Sequence, residues 1–213
     1  MLRIENVDIF GFESAIRGMR NPKNSWDKSD SHLWESSNRF EVGKNDLKLM
    51  RTLAHAGSDH GKFLRMINVT LDITAPLYWW KEFDTYKVGT VTNSCSTMHK
   101  IAAKEFTLED FSHEHLDVVS RSCLEDVIHI LNLNRDSFNK NAYDDPKIPW
   151  WQMIQLLPSS YNQKRTVQLN YEVLRNMYHA RKNHKLDEWH VLCEWIETLP
   201  YFRDICLEGT ETT

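Results

Sequence analysis

The sequence predicts a single domain of the α/β or α+β class. Its 213 residues suffice for one hydrophobic core. Segment 63–73 alternates apolar and polar residues, as a strand with one buried face does, whereas segments 116–133 and 167–199 carry apolar residues at helical spacing. Only seven glycines and six prolines interrupt the chain, which favours many helices joined by short connections. We therefore expect residues 1–213 to form one domain.

The first quarter of the chain is predicted to hold two helices. Residues 15–20 form the first, which the turn-forming residues 21–25 end. The polar segment 29–43 is predicted to be a surface loop. Asn45 is a suitable N-cap for a second helix, which Gly57 closes.

A strand and a short helix are expected next. The apolar members of the alternating segment are Phe63, Ile67, Val69, Leu71 and Ile73. Pro76 suits the first position of a helix that runs through Phe83. Segment 88–97 is rich in Gly, Thr, Asn and Ser, so we predict a loop whose polar groups need partners, such as a ligand.

The second half of the chain is predicted to be mainly helical. Residues 116–133 form a helix, and 134–149 an exposed connection. The apolar face of that helix is expected to consist of Val119, Cys123, Val127 and Ile130. Two further helices are predicted from the stripes Val167, Tyr171, Leu174 and Tyr178, and Trp189, Leu192, Trp195, Ile196 and Leu199.

Composition limits the classes of partner. The net charge of −4 and the mean hydropathy of −0.56 argue against a surface that coats nucleic acid, so no nucleic-acid partner is expected. The N-terminal residues lack the apolar run of a secretory signal, and no segment approaches membrane-spanning length. The four cysteines are scattered without a CxxC pair, which favours reduced thiols, a cytoplasmic location and no structural zinc.

Three blocks, in the same order and at similar spacing, resemble the flavin-dependent thymidylate synthases. The first, 15–20, is similar to that family's early Ala-x-Arg-x-x-Arg helix. The second, 46–76, combines a helix, a turn with Gly57 and His60, and a strand that ends in Ala75-Pro76. The third begins at Leu157-Pro158 and continues with Asn170, Leu174, Asn176, Arg181 and, after one inserted residue, Trp189. Asn170 and Arg181 are eleven residues apart, which on one helix places them on nearly the same side.

The resemblance implies the α+β (α/β) fold of the thymidylate synthase-complementing proteins, with a central antiparallel sheet flanked by helices. It implies a homotetramer whose active sites are shared between subunits. The expected reaction is reductive methylation of dUMP to dTMP, with FAD as cofactor, NADPH as reductant and methylenetetrahydrofolate as carbon donor.

The resemblance also assigns roles to residues. Arg181 is the expected catalytic residue, because a permanently charged guanidinium stabilises negative charge on the pyrimidine ring and activates its C5 without a protein nucleophile. The residues expected beside FAD are Asn170, Glu172, Asn176, Tyr86, Lys87 and His60. Those expected beside the deoxyuridine nucleotide are Glu82, Lys87, Asn93, Ser96 and Arg181.

The family's signature, Arg-His-Arg followed by Ser, Asn-Glu, Ser and Arg-Tyr, is altered here. The corresponding residues are Thr85-Tyr86-Lys87, Thr90, Asn93-Ser94, Ser96 and Met98-His99. Glu82 replaces a glutamine, and Ile154 and Glu172 each replace an arginine. Loss of bidentate arginines weakens phosphate binding unless other cations compensate. The cations available for this are Lys81, Lys87, Lys100, Lys164 and Arg165.

Two other functions remain open from the sequence. The altered signature favours a non-catalytic homologue that binds a nucleotide or a protein partner. A related pyrimidine-modifying flavoenzyme with another substrate is intermediate between that homologue and a thymidylate synthase.

Arg181 alone is also compatible with a surface arginine at a helix C-terminus, and His60 with an exposed turn. Trp79-Trp80 is more typical of packing than of a stacking platform. No metal is expected at His113-Glu114-His115, because no third ligand lies at recognisable spacing.

Overall fold

The computed structural model describes residues 2–34 and 39–207. The strands are β1 (Arg3–Phe10), β2 (His32–Trp34), β3 (Arg39–Glu41), β4 (Asn68–Pro76), β5 (Val91–Ser94) and β6 (Asn162–Asn170). The helices are α1 (Phe12–Arg20), α2 (Lys44–His55), α3 (Leu77–Phe83), α4 (Thr97–Lys100), α5 (Val118–Asn139), α6 (Lys147–Leu156), α7 (Tyr171–Arg181) and α8 (Asp187–Glu197). Among the helices so described, none is long and apolar enough to cross a membrane.

Four strands form an antiparallel sheet in the order β1-β4-β6-β5. In β4 the even-numbered residues from 68 to 74 are half-buried and the odd-numbered ones from 69 to 75 are buried, as the alternating sequence predicts. Strands β2 and β3 form a separate antiparallel pair in which Leu33 faces Phe40. The predicted α+β class with a central antiparallel sheet is confirmed.

The described residues group into two compact units. The first unit comprises residues 2–4, 73–85 and 93–166, and the second comprises 5–72, 86–92 and 167–207. A single domain over 1–213 stays a prediction.

Two aromatic and apolar clusters stabilise the first unit. Helices α5 and α6 cover a core that contains Phe106, Phe111, Leu131 and Met153. On α3, the rings of Trp79, Trp80 and Phe83 pack edge to face or tilted, with centroids 5.0–5.2 Å apart. Both tryptophans are fully buried, so the predicted packing role of Trp79-Trp80 is confirmed.

The core of the second unit lies between α1, α2, α7 and α8. The buried ring of Tyr171 contacts Phe12 and Phe202 edge to face, and its hydroxyl donates to the carbonyl of Pro200 at 2.8 Å. A buried ion pair joins Arg20 on α1 to Asp46 on α2, with 2.7 Å between Nε and Oδ1. The contacts fix α1 against α2 and against the segment between them.

Several boundaries predicted in the first half are wrong. The segment 29–43 contains β2 and β3 rather than only loop, although residues 35–38 lie outside the described part. Gly43 rather than Asn45 precedes α2, and Pro76 ends β4 and caps α3 instead of being its first residue. Residues 61–66 form a 3₁₀ helix, so the strand begins at Asn68. Strand β5 occupies part of the predicted loop 88–97, because this edge segment pairs with β6.

The second half differs in two respects. Helix α5 extends to Asn139 and buries Leu124, Ile128 and Leu131, whereas Val119 and Ile130 of the predicted face are 79% and 43% exposed. The segment 134–149 therefore is partly helical. Residues 162–170 form β6, so Val167 does not belong to the helix that carries Tyr171. The stripe at 189, 192 and 196 is buried on α8, as predicted.

Candidate active site

The late block of the sequence folds into strand β6 followed directly by α7. Asn170 is the N-cap of α7, and its Oδ1 accepts from the backbone N–H of Val173 at 3.1 Å. The backbone of Asn170 is extended, with φ −134° and ψ 170°. The expectation that Asn170 and Arg181 share one side of a helix is therefore wrong, because Asn170 precedes the first helical turn.

The guanidinium of Arg181, in the last turn of α7, is held by two aromatic side chains. It lies 4.7 Å from the ring centroid of Trp189 and 5.6 Å from that of Tyr86. Its Nε donates to the hydroxyl of Tyr86 at 3.0 Å, and the two rings pack edge to face at 6.1 Å. We call these three residues the Arg181 cluster.

The Arg181 cluster fixes a permanent positive charge at a half-buried position. Trp189 is fully buried and gives one rigid wall, and Tyr86 gives the other together with a hydrogen bond. A guanidinium on an aromatic face keeps its charge and loses little orientation freedom. The cluster can therefore hold an electron-rich planar ligand, or stabilise charge that develops on one.

The loop that carries Tyr86 packs against the N-terminus of α7. Gly89 has φ +75°, and a Cβ there would lie 3.0 Å from Nδ2 of Asn170. In the same loop, the hydroxyl oxygen of Thr90 is buried and has no hydrogen-bond partner among the described residues. Asn170 therefore caps the helix and packs against this loop. Asn176 and Lys87, in contrast, are exposed.

The predicted cofactor residue Glu172 has a partner that the sequence did not indicate. Its carboxylate accepts from Nε of Arg65 at 2.5 Å and from Nη2 at 3.2 Å. Arg65 lies in the 3₁₀ segment 61–66, and the pairing raises the pKa of this guanidinium through the hydrogen bond and the charge of Glu172. The negative charge of Glu172 is therefore neutralised by Arg65 and is not left unpaired toward a ligand.

A cavity of about 1340 Å³ in the second unit contains the predicted cofactor residue His60. Its apolar walls include Leu49, Leu53, Phe63 and Met66. Four lysines also line it, namely Lys23, Lys28, Lys48 and Lys62. Apolar walls suit the rings of a flavin, and the lysines suit its pyrophosphate, so the residues present fit FAD. The lysines lie at 23, 28, 48 and 62, and no helical or strand period connects them, which is why sequence reasoning missed them.

Three predicted nucleotide residues belong to the first unit. Glu82 is half-buried on α3, Asn93 is exposed on β5, and Ser96 caps α4 by accepting from the backbone N–H of His99 at 3.1 Å. Ser96 also lines a second cavity, of about 760 Å³, within this unit. Neither Glu82 nor Asn93 is among the described residues that line that cavity.

The histidines of 113–115 belong to no group of metal ligands among the residues that the structure describes. The Nδ1 atom of His113 lies 2.8 Å from the carbonyl oxygen of Phe111. In the part of the chain that the structure describes, no group of three or more His, Cys, Asp or Glu side chains is placed to hold a metal ion.

Comparison with solved structures decides the fold. Over 97% of this chain and 97% of the other, the structure matches thymidylate synthase X (ThyX) of Helicobacter pylori, solved with FAD and dUMP, at a TM-score of 0.72 and 14% identity. The fold is that of ThyX. The UMP/dUMP methylase PolB of Streptomyces cacaoi, solved with 5-Br dUMP, also matches, at a TM-score of 0.60 and 12% identity over 93% of this chain and 89% of that one.

The ThyX fold confirms the fold that the three sequence blocks implied. No family model matches the sequence, and no curated protein sequence does. The roles of the individual site residues in a ThyX reaction stay predictions. What the structure adds is the partner of each: Tyr86 and Trp189 for Arg181, Val173 for Asn170, and Arg65 for Glu172.

Proposed function

We propose that this chain is a flavin-dependent enzyme that methylates C5 of the uracil ring in a deoxyuridine monophosphate, producing dTMP from dUMP. The carbon comes from methylenetetrahydrofolate, and NADPH reduces the bound FAD. A homotetramer with shared active sites and a cytoplasmic location are parts of the same proposal. The fold supports it, because the H. pylori ThyX with this fold was solved with FAD and dUMP.

The Arg181 cluster is the observation that carries the proposal. An ordinary surface arginine is mobile and solvated, whereas this guanidinium is held between Tyr86 and Trp189 by contacts to two rings and a hydrogen bond. Holding a long side chain in one orientation loses conformational entropy, which the cluster offsets in the folded chain before any ligand binds. Such preorganisation is typical of a group that stabilises charge in a transition state.

In this mechanism Arg181 donates to the uracil ring and stabilises the negative charge that builds up on its N3 and O4 atoms. The stabilised charge makes C5 nucleophilic. C5 bonds to the methylene carbon as one of that carbon's two bonds to folate nitrogens breaks. C5 then loses its proton, and the other carbon–nitrogen bond breaks as tetrahydrofolate leaves. Reduced FAD, when bound, would supply the hydride that converts the resulting methylene group into the methyl group. Tyr86 and Trp189 keep the guanidinium in place, and no protein thiol or hydroxyl attacks the ring.

The cavity lined by His60 supports FAD as the cofactor. The lysines Lys23, Lys28, Lys48 and Lys62 are the residues that would neutralise its pyrophosphate, and Phe63 and Met66 would pack on a ring. The Arg65–Glu172 pair neutralises the acidic residue that replaces an arginine expected beside FAD.

Flavin uptake and C5 proton release test the proposal. We expect purified chain to take up FAD near one per chain, seen as visible absorbance, and to release tritium from C5-labelled dUMP in the presence of methylenetetrahydrofolate and NADPH. Arg181→Ala is expected to lower release by about a hundredfold to a thousandfold, because removal of one oxyanion-stabilising donor has that effect. It should leave FAD uptake unchanged.

Two controls sharpen the result. Arg181→Lys keeps the charge but loses the planar fork, so its activity should fall between the wild type and Arg181→Ala. Lys182→Ala removes an exposed charge one residue further along and should be neutral. A chain that never binds FAD, or Arg181→Ala with wild-type tritium release, would contradict the proposal.

A non-catalytic nucleotide-binding homologue is the second candidate. One observation favours it: Ile154, at the position of a phosphate-contacting arginine, packs against the apolar core of the first unit rather than meeting an anion. Binding of dUMP and FAD without tritium release under any reductant would establish this second function. Release from labelled UMP but not from dUMP would instead identify a ribonucleotide methylase, as PolB is named for both nucleotides.

A further inference from the structure

The connection between α7 and α8, residues 182–186, joins two members of the Arg181 cluster. Arg181 is in the last turn of α7, and Trp189 is in the first turn of α8. Between them this chain has one residue more than the late block of the flavin-dependent thymidylate synthases, so the family's pattern does not determine how the connection folds. The geometry of the connection is therefore a property of this chain.

Three hydrogen bonds lead along the connection from Arg181 to Trp189. The backbone N–H of His184 donates to the carbonyl of Arg181 at 2.9 Å. The backbone N–H of Leu186 donates to Nδ1 of His184 at 3.1 Å, and that of Trp189 donates to the carbonyl of Leu186 at 3.1 Å. The middle bond is accepted by a side chain, the imidazole of His184, whereas the other two join backbone groups.

The half-buried imidazole also contacts the indole of Trp189. The two ring centroids are 6.3 Å apart, with an angle of 68° between the ring planes. The centroid of the same indole lies 4.7 Å from the guanidinium of Arg181. Leu186, at the N-cap position of α8, makes no capping hydrogen bond with its side chain. The bond from Leu186 to His184 therefore contributes the anchoring that a capping side chain gives to other helices.

The hydrogen bond from Leu186 also determines the tautomer of His184. Because a backbone N–H points at Nδ1, that nitrogen carries a lone pair, and in the neutral imidazole the proton then lies on Nε2. An asparagine can replace this acceptor, because its side-chain oxygen commonly accepts from the backbone N–H two residues further on. An alanine offers no acceptor. The two substitutions therefore separate loss of the hydrogen bond from loss of the ring.

We infer that His184 is a positioning residue for Arg181. Its hydrogen bond and its ring contact fix the indole of Trp189, on which the guanidinium rests. A misplacement of about 1 Å can lower a rate about a hundredfold, so a residue that acts only through Arg181 changes the rate without contacting the substrate. The charge-stabilising role of Arg181 rests on the proposed function, whereas its positioning by His184 rests on these contacts alone.

Side-chain NMR of Arg181 tests the positioning without any reaction. The Nε–H of Arg181 donates to the hydroxyl of Tyr86, and its signal is assigned by its loss in Arg181→Lys. We expect His184→Ala to speed exchange of this proton with water about threefold or more, because the guanidinium is then held less firmly, and His184→Asn to restore most of the protection. His190→Ala is the matched control, since His190 is a histidine of α8 whose Nδ1 lies 3.9 Å from a carboxylate oxygen of Asp187. An exchange rate that His184→Ala leaves unchanged would overturn the inference.

The tautomer gives a measurement on the unaltered chain. In ¹⁵N-labelled protein, long-range proton–nitrogen correlations distinguish an unprotonated Nδ1 from an unprotonated Nε2. We expect the neutral ring of His184 to carry its proton on Nε2, with its signals assigned by their absence in His184→Asn. A proton on Nδ1 in the neutral ring would refute the hydrogen bond from Leu186 and the inference with it, whether or not the alanine variant folds.

Tritium release tests whether the positioning matters for the proposed reaction. We expect His184→Ala to lower kcat about ten- to hundredfold with KM for dUMP within about twofold of the wild type, because the charge of Arg181 is retained but is less well placed for the transition state. His184→Asn should restore most of kcat. Lys185→Ala removes an exposed charge from the same connection and should change neither constant.

A double-mutant cycle shows whether His184 acts through Arg181. In an Arg181→Ala background, His184→Ala should lower tritium release no further, because the residue through which it acts is already gone. An equal further loss in that background would overturn the inference.

The outcomes separate this inference from the proposed function. If the wild type releases no tritium but His184→Ala speeds the exchange of the Arg181 proton, the positioning stands and the proposed reaction fails. If the wild type releases tritium while His184→Ala changes neither kcat nor the exchange rate, the enzyme remains and the positioning by His184 is refuted.

Discussion

Replacement of Asp46 by Asn is expected to destabilise the protein by about 3–5 kcal/mol, because it leaves the buried guanidinium of Arg20 without its counter-ion. Both side chains are almost inaccessible, at 5% and 0% exposed. Besides the Arg20 contact, the carboxylate of Asp46 accepts from the hydroxyls of Ser29 and Ser31 at 2.7 Å each. An amide in its place offers one oxygen instead of two and adds two donors facing Arg20.

The pH dependence of the same variant follows from the pKa of Asp46. Burial by itself raises the pKa of this carboxyl, but the hydrogen bonds from Ser31, Ser29 and Arg20 and the charge of Arg20 outweigh it and lower the pKa. The folded-state pKa therefore lies below the unfolded value, and the stabilisation is present above the unfolded pKa and lost as the pH falls through the folded one. The difference between wild type and Asp46→Asn should accordingly shrink at acidic pH.

Urea unfolding followed by circular dichroism at neutral and acidic pH measures both effects. Asp27→Asn is the matched control, because Asp27 is exposed on the same connecting segment and its loss should change stability by less than about 0.5 kcal/mol. A second variant, Arg20→Met with Asp46→Leu, removes both charges and should be less destabilised than Asp46→Asn. An Asp46→Asn protein within 1 kcal/mol of the wild type would refute the account of a buried, coupled pair.

Three further outcomes are expected. Gly89→Ala should lower the free energy of unfolding by about 1–2 kcal/mol in the same assay, because φ is +75° and the new Cβ would crowd Asn170. Gly57→Ala should lower it less, because Gly57 also has a positive φ but has open space around it. Asn170→Ala should cost about 0.5–2 kcal/mol through loss of the helix cap, and Asn170→Ser should restore most of it; equal stability of the two variants would contradict the capping role. Burial raises the pKa of the Cys193 and Cys206 thiols to about 11 and about 12, so only two of the four thiols should react rapidly with a disulfide reagent before unfolding, and rapid reaction of all four would argue against this core.

Prediction from sequence succeeded where a single period dominated a segment. Strand β4 alternates without interruption from Asn68 to Ala75, and the buried positions of α8 follow its apolar stripe. Strand β6 was missed because residues 162–166 are all polar and therefore show no alternation of apolar and polar side chains. In addition, Val167 stands four residues before Tyr171, which is a helical spacing. Pairing of β6 with β4 and β5, which are distant in sequence, sets its conformation, and local spacing carries no trace of that pairing.

The face of α5 shows a related limit. Val119, Cys123, Val127 and Ile130 satisfy helical spacing as well as the buried set does, but the helix presents Leu124, Ile128 and Leu131 to the core, which is a rotation of about one residue. Only the position of the neighbouring helix α6 decides between two apolar stripes that lie side by side.

The Arg181 cluster marks the point at which sequence similarity and structure contribute different information. The block around α7 identified Arg181 by its spacing from other residues, but the residue that receives its hydrogen bond, Tyr86, is 95 positions away and stands in the altered signature. The altered signature therefore contributes a contact of its own, because the ring and hydroxyl of Tyr86 hold the guanidinium of Arg181. If Tyr86→Phe lowered tritium release while Lys182→Ala did not, the changed signature would be a different way of positioning the same cation rather than the remnant of a lost activity.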